Sequence, residues 1–326
     1  MIPGRYIALL LGFSLLAVAQ PGPRPVKPPK KVKEPETQAL PLPPEPPPAV
    51  IAETGKLAFH LSPLSTKGLL TQQVHDALKA LDRANGGATI VKLRAFVAGT
   101  GDMRRVAAIV SEEFSARKMP LPVVTTVQVG ALPMDGAQVA IESIGVEKKT
   151  LNPNGLAFFS AQPVSGLSAA AAAQDADVVQ VTCFVADLNQ VDSARAAVTS
   201  AFPGAVANFV QPTRLAAEPG TSCEGVGRLQ KPASSAARLV FTGIQMAFGD
   251  QDQDLRLAYG RLGRALESMK ADPVNALAVN VYSLNGAVGQ KAAGLAPGRP
   301  VKTIHVVEGL PSPDATVALE LVAAAP

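Results

Sequence analysis

Three stretches of this chain superimpose by eye, and that recurrence constrains the fold more than any single motif does. Ile90-Val91-Lys92-Leu93-Arg94-Ala95-Phe96-Val97, Val178-Val179-Gln180-Val181-Thr182-Cys183-Phe184-Val185 and Ala276-Leu277-Ala278-Val279-Asn280-Val281-Tyr282-Ser283 share one length and one two-residue alternation. In the first, Val91, Leu93 and Ala95 fall on one face, expected to meet helices, and Lys92 and Arg94 on the other. Each run follows a shorter apolar strand, at Lys56–Leu61, Gly155–Ser160 and Arg238–Gly243. Between the two strands lies helical spacing: Leu69, Leu70, Val74, Ala77, Leu78 and Leu81 in the first copy, and Leu255, Ala258, Leu262, Leu266 and Met269 in the third. The second copy's helix, around Leu167 to Gln174, is short and mostly alanine.

A second helix comes next, over Met103–Lys118, Val191–Phe202 and a glycine-interrupted Val288–Leu295. Two closing strands end each copy: Val123–Gly130 with Gln138–Gly145, Ala207–Pro212 with Ser222–Leu229, and Thr303–Glu308 with Thr316–Ala323. This order predicts an α+β chain of three β-α-β-α-β-β units, at 55–149, 152–230 and 236–326, with helices on one face of each sheet. A chain of 326 residues that is 47% hydrophobic has material for more than one core.

Ahead of the units, Arg5, the apolar run Ile7 to Leu16 and Ala17-Val18-Ala19 before Gln20 follow the order of a secretory signal peptide, 1–19. The run is too short to span a bilayer comfortably, so no stable membrane span is expected after cleavage; an uncleaved anchor is the alternative. The expected location is periplasmic or secreted. Residues 20–54 read as a Pro-rich disordered linker, an extended spacer of polyproline II character. The net charge of +4 owes much to Arg5, Arg24, Lys27, Lys30, Lys31 and Lys33, all outside the units, and Trp is absent, so no nucleic-acid partner is expected.

Thr125-Thr126-Val127-Gln128-Val129-Gly130-Ala131-Leu132-Pro133, followed by Val139-Ala140-Ile141-Glu142-Ser143-Ile144-Gly145, resembles the closing signature of the RidA (YjgF, L-PSP) family, in which a hydrophobic strand runs into Ala-Arg-Leu-Pro and the last strand reads close to Ile-Glu-Ala-Ile-Ala. The resemblance covers residues 56–149. It is looser in the other units, through Thr213-Arg214-Leu215 with Cys223-Glu224-Gly225-Val226-Gly227 and through Glu308-Gly309-Leu310-Pro311 with Leu319-Glu320-Leu321-Val322-Ala323.

The resemblance implies a chorismate-mutase-like fold that assembles as a trimer with clefts between subunits, and so, for three fused units, a monomeric single-chain pseudotrimer. A helix-free sheet face needs cover, and a fused copy supplies it at high effective concentration. The resemblance also implies hydrolysis of enamines and imines, with an arginine holding the substrate carboxylate by two prongs. Arg214 alone keeps that arginine, since Ala131 and Gly309 stand at the corresponding positions. The family's last-strand glutamate persists as Glu142, Glu224 and Glu320, while its asparagine on the second helix is replaced by Ala107 and Arg195. The expectation is one imine/enamine deaminase-like or small-carboxylate-binding cleft in unit 2, with Arg214 and Glu224 as catalytic residues, and neither cofactor nor metal. The alternative, favoured by the two missing arginines, is a non-catalytic RidA-like ligand-binding or interaction scaffold.

Cys183 and Cys223 both point to the helix side of unit 2, where they form either a disulfide or two buried thiols. His60, His75 and His305 are too dispersed to suggest a metal site and read as surface or strand histidines. Gly99-Thr100-Gly101 reads as a chain turn.

Overall fold

Past the last proline of the Pro-rich stretch the chain turns into a strand, β1 (Ala49–Glu53). The linker expected to reach residue 54 therefore gives way at Ala49, where the β-branched pair Val50-Ile51 follows Pro48. The computed structural model describes residues 22, 43–99, 101–215, 220–232 and 236–326. The expected signal peptide, residues 23–42 of the linker and Thr100 lie outside the described residues. Among the described residues, no helix is long and apolar enough to cross a membrane.

The elements that follow lie close to where periodicity puts them. The first sheet holds β2 (Leu57–Leu61), β3 (Thr89–Ala98), β4 (Val123–Val129) and β5 (Val139–Val146), with α1 (Leu70–Ala84) between β2 and β3 and α2 (Met103–Ala116) between β3 and β4. The second holds β6 (Leu156–Gln162), β7 (Ala176–Val185), β8 (Val206–Val210) and β9 (Thr221–Leu229), with α3 (Val164–Ala173) and α4 (Val191–Ala201). The third holds β10 (Arg238–Thr242), β11 (Gln245–Ala247), β12 (Ala276–Ser283), β13 (Val301–Val306) and β14 (Val317–Ala325), with α5 (Asp252–Ser268) and α6 (Gly286–Gly294). The strand orders are β2-β5-β3-β4, β6-β9-β7-β8 and β10-β14-β12-β13, one pattern written three times, with β1 added at the β10 edge and β11 beside β14. In the three sheets β3 runs parallel to β4, β7 to β8 and β12 to β13, and the last strand of each unit pairs antiparallel with its neighbours.

Helices cover one face of every sheet. The stripe Leu70, Val74, Ala77, Leu78 and Leu81 of α1 packs with Leu93, Ala95 and Ile141, and α5 and α6 do the same for the third sheet. The second sheet has the thinnest cover, since α3 buries only Leu167 and Ala171. There Cys183 and Cys223, facing each other across β7 and β9, are joined in a disulfide inside the helix-side core.

The helix-free faces meet one another. Phe96, Phe184 and Tyr282, one from each sheet, share a cluster with Val127 and Val210, while Val91, Phe241 and Val322 share another. Val91 was expected on the helix face with Leu93. Instead the register of β3 against β5 shifts between Ile90 and Lys92, leaving Ile90 toward the helices and Val91 toward the other sheets. The same shift falls between Val178 and Gln180 and between Ala276 and Ala278. Backbone bonds tie the sheet ends together: Gln128 N–H donates to the Gly309 carbonyl at 2.9 Å, Gly130 N–H to Gln211 at 2.8 Å, and Thr54 N–H to Ala237 at 2.9 Å. A Cβ on Gly130 would stand 2.5 Å from the Thr213 and Arg214 backbone, so only glycine admits this approach.

Candidate functional site

Between the two apolar clusters the helix-free faces are polar. Register sets Glu142 opposite Arg94, Glu224 opposite Thr182 and Glu320 opposite Asn280, and the parallel pairing adds Thr125, Asn208 and Thr303 to the same three rows. Arg94, 8% exposed, joins all three sheets. Its Nε donates to Glu142 Oε2 at 2.7 Å, its Nη2 to Thr182 Oγ1 at 2.9 Å, and its Nη1 to Glu224 Oε1 at 2.5 Å and to Tyr282 Oη at 3.2 Å. Glu142 Oε1 accepts from Thr182 Oγ1 at 2.6 Å and Asn208 Nδ2 at 2.8 Å. Glu320 accepts from Lys92 Nζ at 2.8 Å, Asn280 Nδ2 at 2.9 Å and Tyr282 Oη at 3.0 Å, and from the Thr125 hydroxyl. Glu224 Oε2 faces His305 Nε2 at 3.1 Å, and the imidazole lies tilted against Phe184 with centroids 3.9 Å apart.

Charges this deep persist only when paired. Burial pushes the Glu224 carboxyl up, but the Arg94 guanidinium and the His305 ring outweigh it and hold the group at about 2. Glu320 is held below the usual carboxylate range in the same way, burial being outweighed by Lys92 and Arg94. Burial would also pull the Arg94 guanidinium down, yet Glu142 and Glu224 keep it well above its ordinary value. Burial, helped by Glu320, raises the Tyr282 phenol, so it acts as a neutral donor. A cavity of about 80 Å³ opens beside this cluster, with Lys92, Arg94 and the three carboxylates on its polar side and Phe158, Phe159 and Phe241 on its apolar side.

Of the two residues expected to form the catalytic pair, Glu224 lies in this cluster and Arg214 does not. Arg214 follows β8 on the exposed surface, and its backbone N–H donates to the Glu308 carboxylate. Among the described residues no ion pair joins it to Glu224, whose partners are Arg94 and His305. Ala131 sits in the junction where its backbone pairs with Gln211, and Gly309 in the one where it pairs with Gln128. Sequence reasoning put Lys92 and Arg94 on the correct side of their strand but gave them no partner, because Glu142 meets Arg94 only once β5 is laid beside β3, and Glu224 and Glu320 come from other sheets. It also passed over Thr182 and Tyr282, and read His305 only as a surface or strand histidine, where it is a buried one on β13. The available signal was positional: Arg94, Thr182 and Asn280 occupy the same place in the three superimposable runs, as do Phe96, Phe184 and Tyr282.

Comparison with known proteins bears on the first unit. Among curated proteins, none matches this chain. A member of the YjgF/YER057c/UK114 family from Mycobacterium tuberculosis is 26% identical, covering 26% of this chain and 78% of its own, with a TM-score of 0.23. A chorismatase structure is 10% identical over 82% of this chain and 98% of its own, with a TM-score of 0.27. The cyanuric acid hydrolase of A. caulinodans is 13% identical over 82% of this chain and 99% of its own, with a TM-score of 0.24. The family model described as endoribonuclease L-PSP matches residues 49–147, the stretch from β1 to the end of β5, and over that stretch the chain is similar to this family, as the residues of its closing strands imply.

Proposed function

We propose that the chain is three copies of one RidA-like unit closed into a monomeric pseudotrimer, exported from the cytoplasm, and that it serves as a ligand-binding or interaction scaffold without imine deaminase chemistry. One observation carries this reading. Each last-strand glutamate is engaged by fixed partners of the chain itself, Glu142 by Arg94, Glu224 by Arg94 and His305, and Glu320 by Lys92, while Arg214 is paired with none of them. A deaminase cleft needs the arginine and the glutamate to reach one substrate together, with the glutamate free to handle a water or the leaving ammonia. A carboxylate held at about 2 by the Arg94 guanidinium and the His305 ring is a poor proton carrier near neutrality. The pseudotrimer is supported by the thrice-repeated strand order and by the meeting of helix-free faces. Export is supported by the signal-like first residues and by the Cys183–Cys223 disulfide, a bond at home in an oxidising compartment.

The test is ammonia release from a 2-imino acid generated in situ, followed with the protein, with its Arg214→Ala variant and with neither. All three traces are expected to coincide. Acceleration by the protein that Arg214→Ala abolishes would replace the scaffold reading with the deaminase one.

A further inference from the structure

The three rows of the polar cluster are satisfied unequally, and the difference lies at Glu224. A residue on the third strand of the neighbouring sheet reaches each of the other two glutamates: Asn208 donates to Glu142, and Thr125 donates to Glu320. Thr303 holds the corresponding place for Glu224, yet it makes no side-chain hydrogen bond among the described residues, although it is 3% exposed and lines the cavity. Glu320 also receives the Lys92 ammonium from β3. The position on β12 that would bring an ammonium to Glu224 in the same cyclic sense is Ala278, whose side chain ends at Cβ and which also lines the cavity. On β7 that position is Gln180, 8% exposed, lining the cavity and without a side-chain partner among the described residues. Gln180 and Glu224 are diagonal neighbours on one face of the β7/β9 pair.

The fixed charges agree. Lys92 and Arg94 face Glu142, Glu224 and Glu320, two cations against three carboxylates, so the lining sums to one negative unit. His305 stands outside the lining and meets Glu224 Oε2 through its Nε2. Among the described residues Glu224 accepts from Arg94 and His305 alone, and so keeps lone pairs that Glu320, with its four donors, has used.

We propose that this cavity binds a small primary alkylammonium ion, its three N–H donors on Glu224, Thr303 and Gln180 and its hydrocarbon against Phe158, Phe159 and Phe241. The ligand supplies at Glu224 what Lys92 supplies at Glu320. A volume of about 80 Å³ has room for on the order of five water-sized groups, which matches the heavy atoms of n-butylammonium. The aromatic wall suits both a hydrocarbon and a cation. This deepens the scaffold reading and rests on it, because a Glu224 reserved for imine hydrolysis would not serve as a standing counter-ion.

Calorimetric titration of the mature chain with n-butylammonium chloride tests the inference, with n-butanol and sodium butyrate as neutral and charge-reversed analogues. Saturable binding of one butylammonium per chain is expected, with butanol about tenfold weaker or worse and butyrate silent. Ala278→Lys, which places an ammonium of the chain's own in the site, should abolish butylammonium binding. Thr303→Val, a near-isosteric change outside every ion pair, should weaken it about tenfold and leave butanol unchanged, so a variant that fails to fold does not shelter the idea. Butyrate binding as well as butylammonium, no butylammonium binding, or undiminished binding by both variants would overturn it. The scaffold reading is judged separately by ammonia release, which can fail or succeed whatever the calorimeter records.

Discussion

Placing Glu142, Glu224 and Glu320 in one interior strips each carboxylate of water, and the cost is met by Arg94 and Lys92 together with neutral donors from Thr125, Thr182, Asn208, Asn280 and Tyr282. The arrangement has a pH signature. Glu224 titrates at about 2 in the folded chain against an ordinary value of 4.5, so between those values the unfolded chain binds the proton and the folded chain does not. The stabilisation is therefore complete above about pH 4.5 and is lost as pH falls toward 2, and the lowered Glu320 adds to the fall in the same direction. The urea midpoint should slope gently below about pH 6.5, where burial keeps the His60 ring from the proton that the unfolded chain takes up, and then drop steeply below about pH 4.5. Glu224→Gln, which leaves Arg94 short of one counter-charge, should lower the neutral plateau by about 3 kcal/mol or more and flatten the acid fall. An acid fall as steep in Glu224→Gln as in the parent would mean that Glu224 is not the group being titrated.

Helix α3 has Leu167 and Ala171 as its buried contacts, and the disulfide lies in the core it covers. Cys183 and Cys223 are 40 residues apart, and closing a loop of that length restricts the unfolded chain by about 4 kcal/mol in the entropic account, with about 2 to 4 usually realised. The double change of both cysteines to alanine should lower unfolding free energy by that amount in urea. A change below about 1 kcal/mol would put the stability of unit 2 in its packing rather than its cross-link. Most elements were legible because period and element type agree: the Leu70 to Leu81 spacing is helix α1, and the three matched runs are β3, β7 and β12. What escaped was whatever breaks a period or depends on distant chain. A bulge at Val91 defeats counting by twos, and β1 hides behind prolines because its partner β10 lies nearly two hundred residues on. Arg214 is not among the partners of Glu224 in the described residues for a related reason. Adjacency in a motif sets the row a side chain occupies along its own strand, but Arg94 and His305, which engage Glu224, arrive from other sheets.

Those inter-sheet partners decide what the molecule is in solution. Arg94 binds carboxylates on its own sheet and on the second, Lys92 binds one on the third, and β1, which precedes the first sheet in sequence, completes the third sheet at β10. If these bonds form within one chain, folding is unimolecular, and the helix-free faces are covered without any second molecule. If they form between chains, the same bonds become association contacts, and stability must rise with protein concentration by mass action. Light scattering on the eluting protein, for a chain lacking residues 1–19, should return the mass of one chain, and the melting temperature should not move across a hundredfold dilution. A mass of three chains with a melting temperature that climbs with concentration would mean that the sheets close on neighbouring molecules, and the row of partners around Glu224 would then be shared among them.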